Sequence, residues 1–188
     1  MKKRLLSLAV VLICVSILTG GTFAYFSTDE VTHNVITTSG VKIDVLMLNK
    51  NNESEDNDPI PVMPGITVSK VLAAQSVETE VWVRLNYEFE IYEEDGDIMP
   101  LSKKEVEKLI LVEPDDENWI YKDGWWHYKK TVKSGEKTLP LFDEIKFAGY
   151  GMGNEYQNST VKLFVKGQAV QKANNGKTVM EAVGWPEE

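Results

Sequence analysis

Cysteine is nearly absent from this chain of 188 residues: the only one, Cys14, lies in an apolar N-terminal run. Beyond that run there is no thiol, which excludes disulfide staples and thiolate chemistry. Histidine is almost as scarce, with only His33 and His127. The helical His-Glu-x-x-His pair that a zinc protease needs is missing. So is the Gly-x-Ser-x-Gly elbow of a serine hydrolase, and a lone histidine with no placed partner makes no triad. Basic charge is short as well, and the net charge is −9. Without Lys2, Lys3 and Arg4 the remainder carries 17 basic against 29 acidic residues, a net −12. Such a domain is a poor partner for nucleic acid or anionic lipid. No repeat of solenoid length is visible.

What is present begins with an export signal. Lys2, Lys3 and Arg4 form a basic start, and Leu5 to Leu18 is an apolar run broken only by Ser7 and Ser16. At about 14 residues the run is short of the roughly 20 needed to span a bilayer. Small residues follow, and Thr22 and Ala24 stand three and one positions before a cut that would leave Tyr25 as the new N-terminus. The reading is therefore a signal peptide over 1–24 and one secreted domain over 25–188, attached to the membrane only as precursor. That domain is long enough for a sizeable core, which must hold it without covalent help.

Gly20-Gly21-Thr22-Phe23-Ala24-Tyr25-Phe26-Ser27, followed by Asn34-Val35-Ile36-Thr37 and Gly40-Val41-Lys42-Ile43, resembles the start of Gram-positive proteins cut by a SipW-type signal peptidase. That alternate-signal group includes the TasA fibre proteins and the camelysin (CalY) proteins. Met63-Pro64-Gly65-x-Thr67-Val68-Ser69-Lys70 and a strand with Val81-x-Val83-Arg84 are also similar to the group. So are Asp123-Gly124-Trp125-Trp126-His127-Tyr128, the Ser134–Phe142 segment, and Ala169-Val170-Gln171-x-Ala173-Asn174 with Trp185. The resemblance implies a jelly roll and assembly into fibres by donor-strand exchange. Camelysins have been called metalloproteases, but no residue set here can take that role.

The chain itself reads as all-β. Residues 33–38 are β-prone, and after Gly40 the segment Val41–Leu46 alternates as a half-buried strand. Residues 49–61 form a polar loop, Pro64-Gly65 a turn, and 66–74 a further strand. Val81, Val83, Leu85, Tyr87, Phe89 and Ile91 alternate with Trp82, Arg84, Asn86, Glu88, Glu90 and Tyr92, which predicts a long strand with one buried and one solvated face. Ser102 and Glu105 form a capping box for one helix with Val106, Leu109 and Ile110 as its stripe, and Pro114 ends the segment. Asp123-Gly124 predicts a two-residue hairpin pairing Lys122 with Trp125, Tyr121 with Trp126, Ile120 with His127 and Trp119 with Tyr128. His127 reads as a partly exposed sheet residue. Residues 159–170 form a last strand, and a short helix near 178–183 ends with Trp185 packing on it. Many short strands and no βαβ rhythm imply an antiparallel β-sandwich with one or two short helices, preceded by a signal helix.

Candidate sites are few. Glu88 and Glu90 lie about 7 Å apart along one strand face, but a solvated face explains them better than a glycosidase pair. Gly149-Tyr150-Gly151-Met152-Gly153 does not open a helix after a strand, as a phosphate loop must. Glu53, Glu55, Asp56 and Asp58 are weak calcium candidates without the EF-hand order. No cofactor is expected. Trp119, Trp125, Trp126 and Tyr128 could form an aromatic face for sugar rings, or core. Asn34, Val35, Ile36 and Thr37, within 25–38, could leave their own sheet and complete a neighbour's, which builds filaments because head-to-tail pairing does not close. Two readings stay open: a non-enzymatic, fibre-forming surface or matrix protein, and a monomeric surface module for glycan or protein. A hydrolase is third.

Overall fold

The computed structural model describes residues 41–49, 51 and 59–186 in full and the backbone of 34–36. The signal peptide with Thr22, Ala24 and Tyr25, the last donor residue Thr37, and the acidic candidates Glu53, Glu55, Asp56 and Asp58 lie outside the described residues. His33–Glu188 forms one compact unit.

Among the described residues ten strands build two sheets. In chain order they are β1 (Asn34–Ile36), β2 (Ile43–Leu48), β3 (Ile60–Pro61), β4 (Thr67–Ser76), β5 (Val81–Tyr92), β6 (Ile110–Leu111), β7 (Trp119–Lys122), β8 (Trp125–Tyr128), β9 (Phe142–Phe147) and β10 (Thr160–Gln171). The larger sheet runs β1-β10-β5-β8-β7, with β3 also on β10, and the smaller runs β2-β4-β9-β6. Every pairing is antiparallel except β1 on β10. The expected all-β sandwich is what forms. Its two sheets interlock: β4 pairs β9 in one while β5 pairs β10 in the other.

The alternation in β5 sets the main core. Val81, Val83, Leu85, Phe89 and Ile91 are buried, as are Val161 and Leu163 of β10 and Ile43, Val45 and Leu72 of the facing sheet. The sheets approach each other closely at Gly167 in β10. A Cβ there would lie 2.6 Å from Val45 Cγ2 and 3.3 Å from Ile43 Cδ1, so only glycine admits β2 at this distance.

Local chemistry explains the remaining elements. In the hairpin, Asp123 (φ 51°) and Gly124 (φ 83°) both take the left-handed conformation of a type I′ turn, and the expected register follows pair by pair. Helix α1 (Lys103–Leu109) starts with its capping box: the Ser102 N–H donates to Glu105 Oε2 at 2.8 Å and the Ser102 hydroxyl at 2.6 Å. Those bonds hold the Glu105 carboxyl below the usual range. The helix is one residue shorter than its apolar stripe suggested, because Ile110 leaves it to pair with Phe147 as β6. Near the C-terminus only one 3-10 turn forms, Val179–Glu181, where a short α-helix was expected. A segment so brief, flanked by positive-φ Gly176 and Gly184, cannot repay helix nucleation.

The outer face of β5 departs furthest from expectation. Trp82 on that face is buried together with Val170, Val179 and Ala182, and Trp185 packs against the group. The C-terminal segment thus roofs the Trp82 and Arg84 end of a face that alternation assigned to solvent. Among the described residues no helix is long and apolar enough to cross a membrane.

Candidate functional site

Two places on the larger sheet are candidates for function: the outer edge of β10, and the hollow beside the aromatic hairpin.

On its inner side β10 pairs with β5 from Thr160↔Tyr92 to Gln171↔Val81. Its outer edge is covered in pieces. β3 pairs there with Thr160 and Val161, extended by the Val62 N–H bonded to the Ser159 carbonyl at 2.9 Å. β1 then pairs in parallel at Asn34↔Lys166, Val35↔Gly167 and Ile36↔Gln168. Three of the four donor candidates therefore lie on the edge of their own sheet, beside the glycine where the two sheets meet. Between these patches, at 162–165, no strand is paired with the outer edge among the described residues.

The hairpin aromatics divide between two faces and two environments. Trp119 is 1 % exposed, and its indole N–H donates to the Leu139 and Pro140 carbonyls at 3.2 and 3.1 Å. Tyr128 packs on it with ring centres 5.0 Å apart, and its hydroxyl accepts the Leu139 N–H at 3.3 Å. Both are core. Trp125 is buried on the opposite face, under the Arg84 guanidinium 4.5 Å from its ring. The suggested joint face of Trp119, Trp125, Trp126 and Tyr128 is corrected accordingly: of the four only Trp126 is partly open. Its neighbour across the hairpin, Tyr121, is 55 % exposed and 5.1 Å away between ring centres.

Trp126 and Tyr121 form one wall of a groove of about 240 Å³ that is also lined by Asn86, Tyr87, Lys103 and Glu107. β5 supplies Asn86 and Tyr87, and α1 supplies Lys103 and Glu107 one helical turn apart. Tyr87 is anchored by edge-on contacts to Phe89 and Phe142 at 5.7 and 5.2 Å. Burial, then the Glu107 carboxylate, push its hydroxyl up to about 12, so it stays neutral. Of these six, sequence reasoning named only Trp126 as a site residue. Tyr121 was legible only as its hairpin partner, and the i,i+4 spacing of Lys103 and Glu107 does not say where the helix docks.

A third cluster is structural. Arg84 lies between Trp125 and Trp185, 4.5 and 4.6 Å from the ring centres, and its Nε donates to Gln168 Oε1 at 2.8 Å. His127 pairs with Arg84 across the strands and meets Trp185 edge-on at 5.7 Å. Expected to be partly exposed, His127 is buried, because Trp185 roofs it. Burial, then Arg84, push its pKa below the ordinary histidine range.

The other candidates are unremarkable chemically. Glu88 is exposed, and Glu90 accepts the Tyr92 hydroxyl at 2.6 Å. Gly149–Gly153 leads only into a 3-10 turn, Asn154–Tyr156. Among the described residues no three His, Cys, Asp or Glu side chains come together as metal ligands.

Fold and edge together define the class: an antiparallel β-sandwich with a short parallel strand on its largest sheet. No family model matches the chain, and no curated protein matches it.

Proposed function

We propose that this is a secreted, non-enzymatic structural protein of a Gram-positive cell surface or biofilm matrix, which forms fibres by donating β1 to the β10 edge of the next subunit. The observation that carries the reading is the β1–β10 pairing itself. It spans three residues, runs parallel, and involves a strand near the N-terminal end of the compact unit. A neighbour's β1 can make the same pairing at no chemical cost, so exchange is limited by the short link to β2, residues 37–42, and by concentration. Head-to-tail exchange does not close, so it propagates. The resemblance to the SipW-dependent proteins of the TasA and camelysin type supports the same reading. It adds a SipW-type signal peptidase as partner, whose cut after Ala24 would free the donor end.

The test uses the absence of cysteine after residue 14. Chains starting at Tyr25 and carrying either Asn34→Cys or Lys166→Cys are mixed and oxidised. Donation gives covalent dimers of the two variants, and a chain carrying both gives covalent ladders. A double variant that closes only onto itself, with no cross-linking in the mixture, sinks the reading. So does failure of any pair to bond, since positions in register are within disulfide reach.

A further inference from the structure

The groove between α1 and the β7–β8 hairpin is not used by strand donation, and nothing in the fold requires it to be open. We propose that it binds one neutral pyranose unit of a glycan, stacked on Tyr121 and Trp126 and hydrogen-bonded by Asn86, Glu107 and the Tyr87 hydroxyl. This inference stands apart from the fibre reading and survives its failure.

Four observations lead to it. The first is an aromatic corner. Tyr121 is 55 % exposed, and Trp126, the one other hairpin ring that is partly open, stands 5.1 Å from it with the ring planes tilted by 50°. Two rings so inclined make a concave platform, and the apolar C–H face of a sugar ring is the ligand that suits a π face bordered by hydrogen-bonding groups. The second is the polar rim. An amide and a phenol can each donate to or accept from a sugar hydroxyl, and a carboxylate accepts from one. Burial keeps the Tyr87 hydroxyl neutral, so it retains a proton to give.

The third is charge. Lys103 and Glu107 are one of each sign, both exposed, and among the described residues neither forms an ion pair. The groove therefore has no net preference for a cation or an anion, which disfavours phosphate, nucleotide or acidic peptide ligands. The fourth is size. At about 240 Å³ the groove is below the range of about 300–1,000 Å³ usual for drug-sized ligands. A single ring fits such a space, whereas an extended peptide would need a longer trough.

The walls are rigid enough to be preformed. Tyr87 is locked by Phe89 and Phe142, Trp126 is in register with Tyr121 and Leu85, and α1 is seated by buried Val106 and Leu109. Binding therefore costs little ordering of the protein.

The experiment is a tryptophan-fluorescence and NMR titration of the full chain with methyl glucoside, methyl galactoside and N-acetylglucosamine, each beside its short oligomer. Polyproline serves as the peptide probe. At least one sugar is expected to saturate in the millimolar range and shift the Trp126 and Tyr121 resonances. Tyr121→Ala should weaken that sugar about tenfold, the worth of one stacking ring. Glu107→Gln should weaken it several-fold. Tyr150→Ala, which removes a fully exposed ring elsewhere on the surface, should leave binding unchanged. All three sites are surface positions, and an unchanged thermal melt shows that each variant is folded. No saturable response to any of the sugars overturns the proposal. So does a response that Tyr150→Ala weakens as much as Tyr121→Ala, or binding of polyproline alone.

Discussion

β10 has a different neighbour on each side, and the two differ in every respect that governs strand stability. On one side β5 pairs with it over twelve positions, antiparallel, with fully buried Val83 and Leu85 in β5 and Val161 and Leu163 in β10. On the other side β1 pairs over three positions, in parallel, and β3 over two. Parallel pairing is slightly weaker per residue, and short terminal segments open at far lower free energy than the global transition. The same strand thus carries a twelve-position ladder on one side and only short pairings on the other. A mutation on the β5 side should unfold the protein, whereas one on the β1 side should only free the edge.

The largest effect tests the rigid side. Leu85→Ala empties a site with no solvent exposure in the packed sandwich. It should cost about 2–5 kcal/mol, from lost transfer energy and the cavity left behind, read by denaturant unfolding. A loss below about 1 kcal/mol would show that the β5–β10 ladder is not the stabilising axis.

How far the sequence revealed this layout depends on range. Strict alternation over 81–92 predicts β5 and its buried face because each residue reports its own side of the strand. Asp123-Gly124 predicts the hairpin register because a two-residue turn leaves no freedom. The roof over Trp82 was not legible: it depends on Trp185 returning across the sheet from more than a hundred residues away, and no periodicity records that contact. Trp125 and Trp126, adjacent in the chain, were read together although alternation already puts them on opposite faces, one under Arg84 and the other in the groove. The pairing of β1 was the least legible. Asn34-Val35-Ile36 reads as β-prone, but nothing local says that its partner is β10 or that the pairing is parallel.

The next effect is intermediate and lies on the outer face of β5. Because His127 has a folded pKa below its unfolded value of about 6.5, the folded state favours the neutral ring. Its contribution is complete above the unfolded pKa and is lost as pH falls from there toward the folded pKa. A protonated ring would then face Arg84 from its own sheet, with Lys122 on the adjoining strand also opposing the charge. The melting temperature should therefore fall between about pH 7 and pH 5. His127→Phe should flatten that segment of the profile. An equally steep profile in His127→Phe would assign the acid sensitivity to carboxylates elsewhere.

The smallest effect on stability is the most informative about the edge. Ile36→Pro removes one backbone N–H from the three-residue β1 and leaves the β5 side of β10 untouched. Because this segment opens before the fold does, the melting temperature should move by no more than about 2–4 °C, the equivalent of under ~1 kcal/mol. Hydrogen exchange should separate the two sides: amides of β10 bonded to β5 keep their protection, while those on the β1 side lose it. The same substitution should abolish cross-linking between Asn34→Cys and Lys166→Cys chains. If Ile36→Pro instead unfolds the domain as Leu85→Ala does, β1 is an integral strand of the sheet. Such a strand is too costly to lend to a neighbour, and the contrast between the two sides of β10 fails with it.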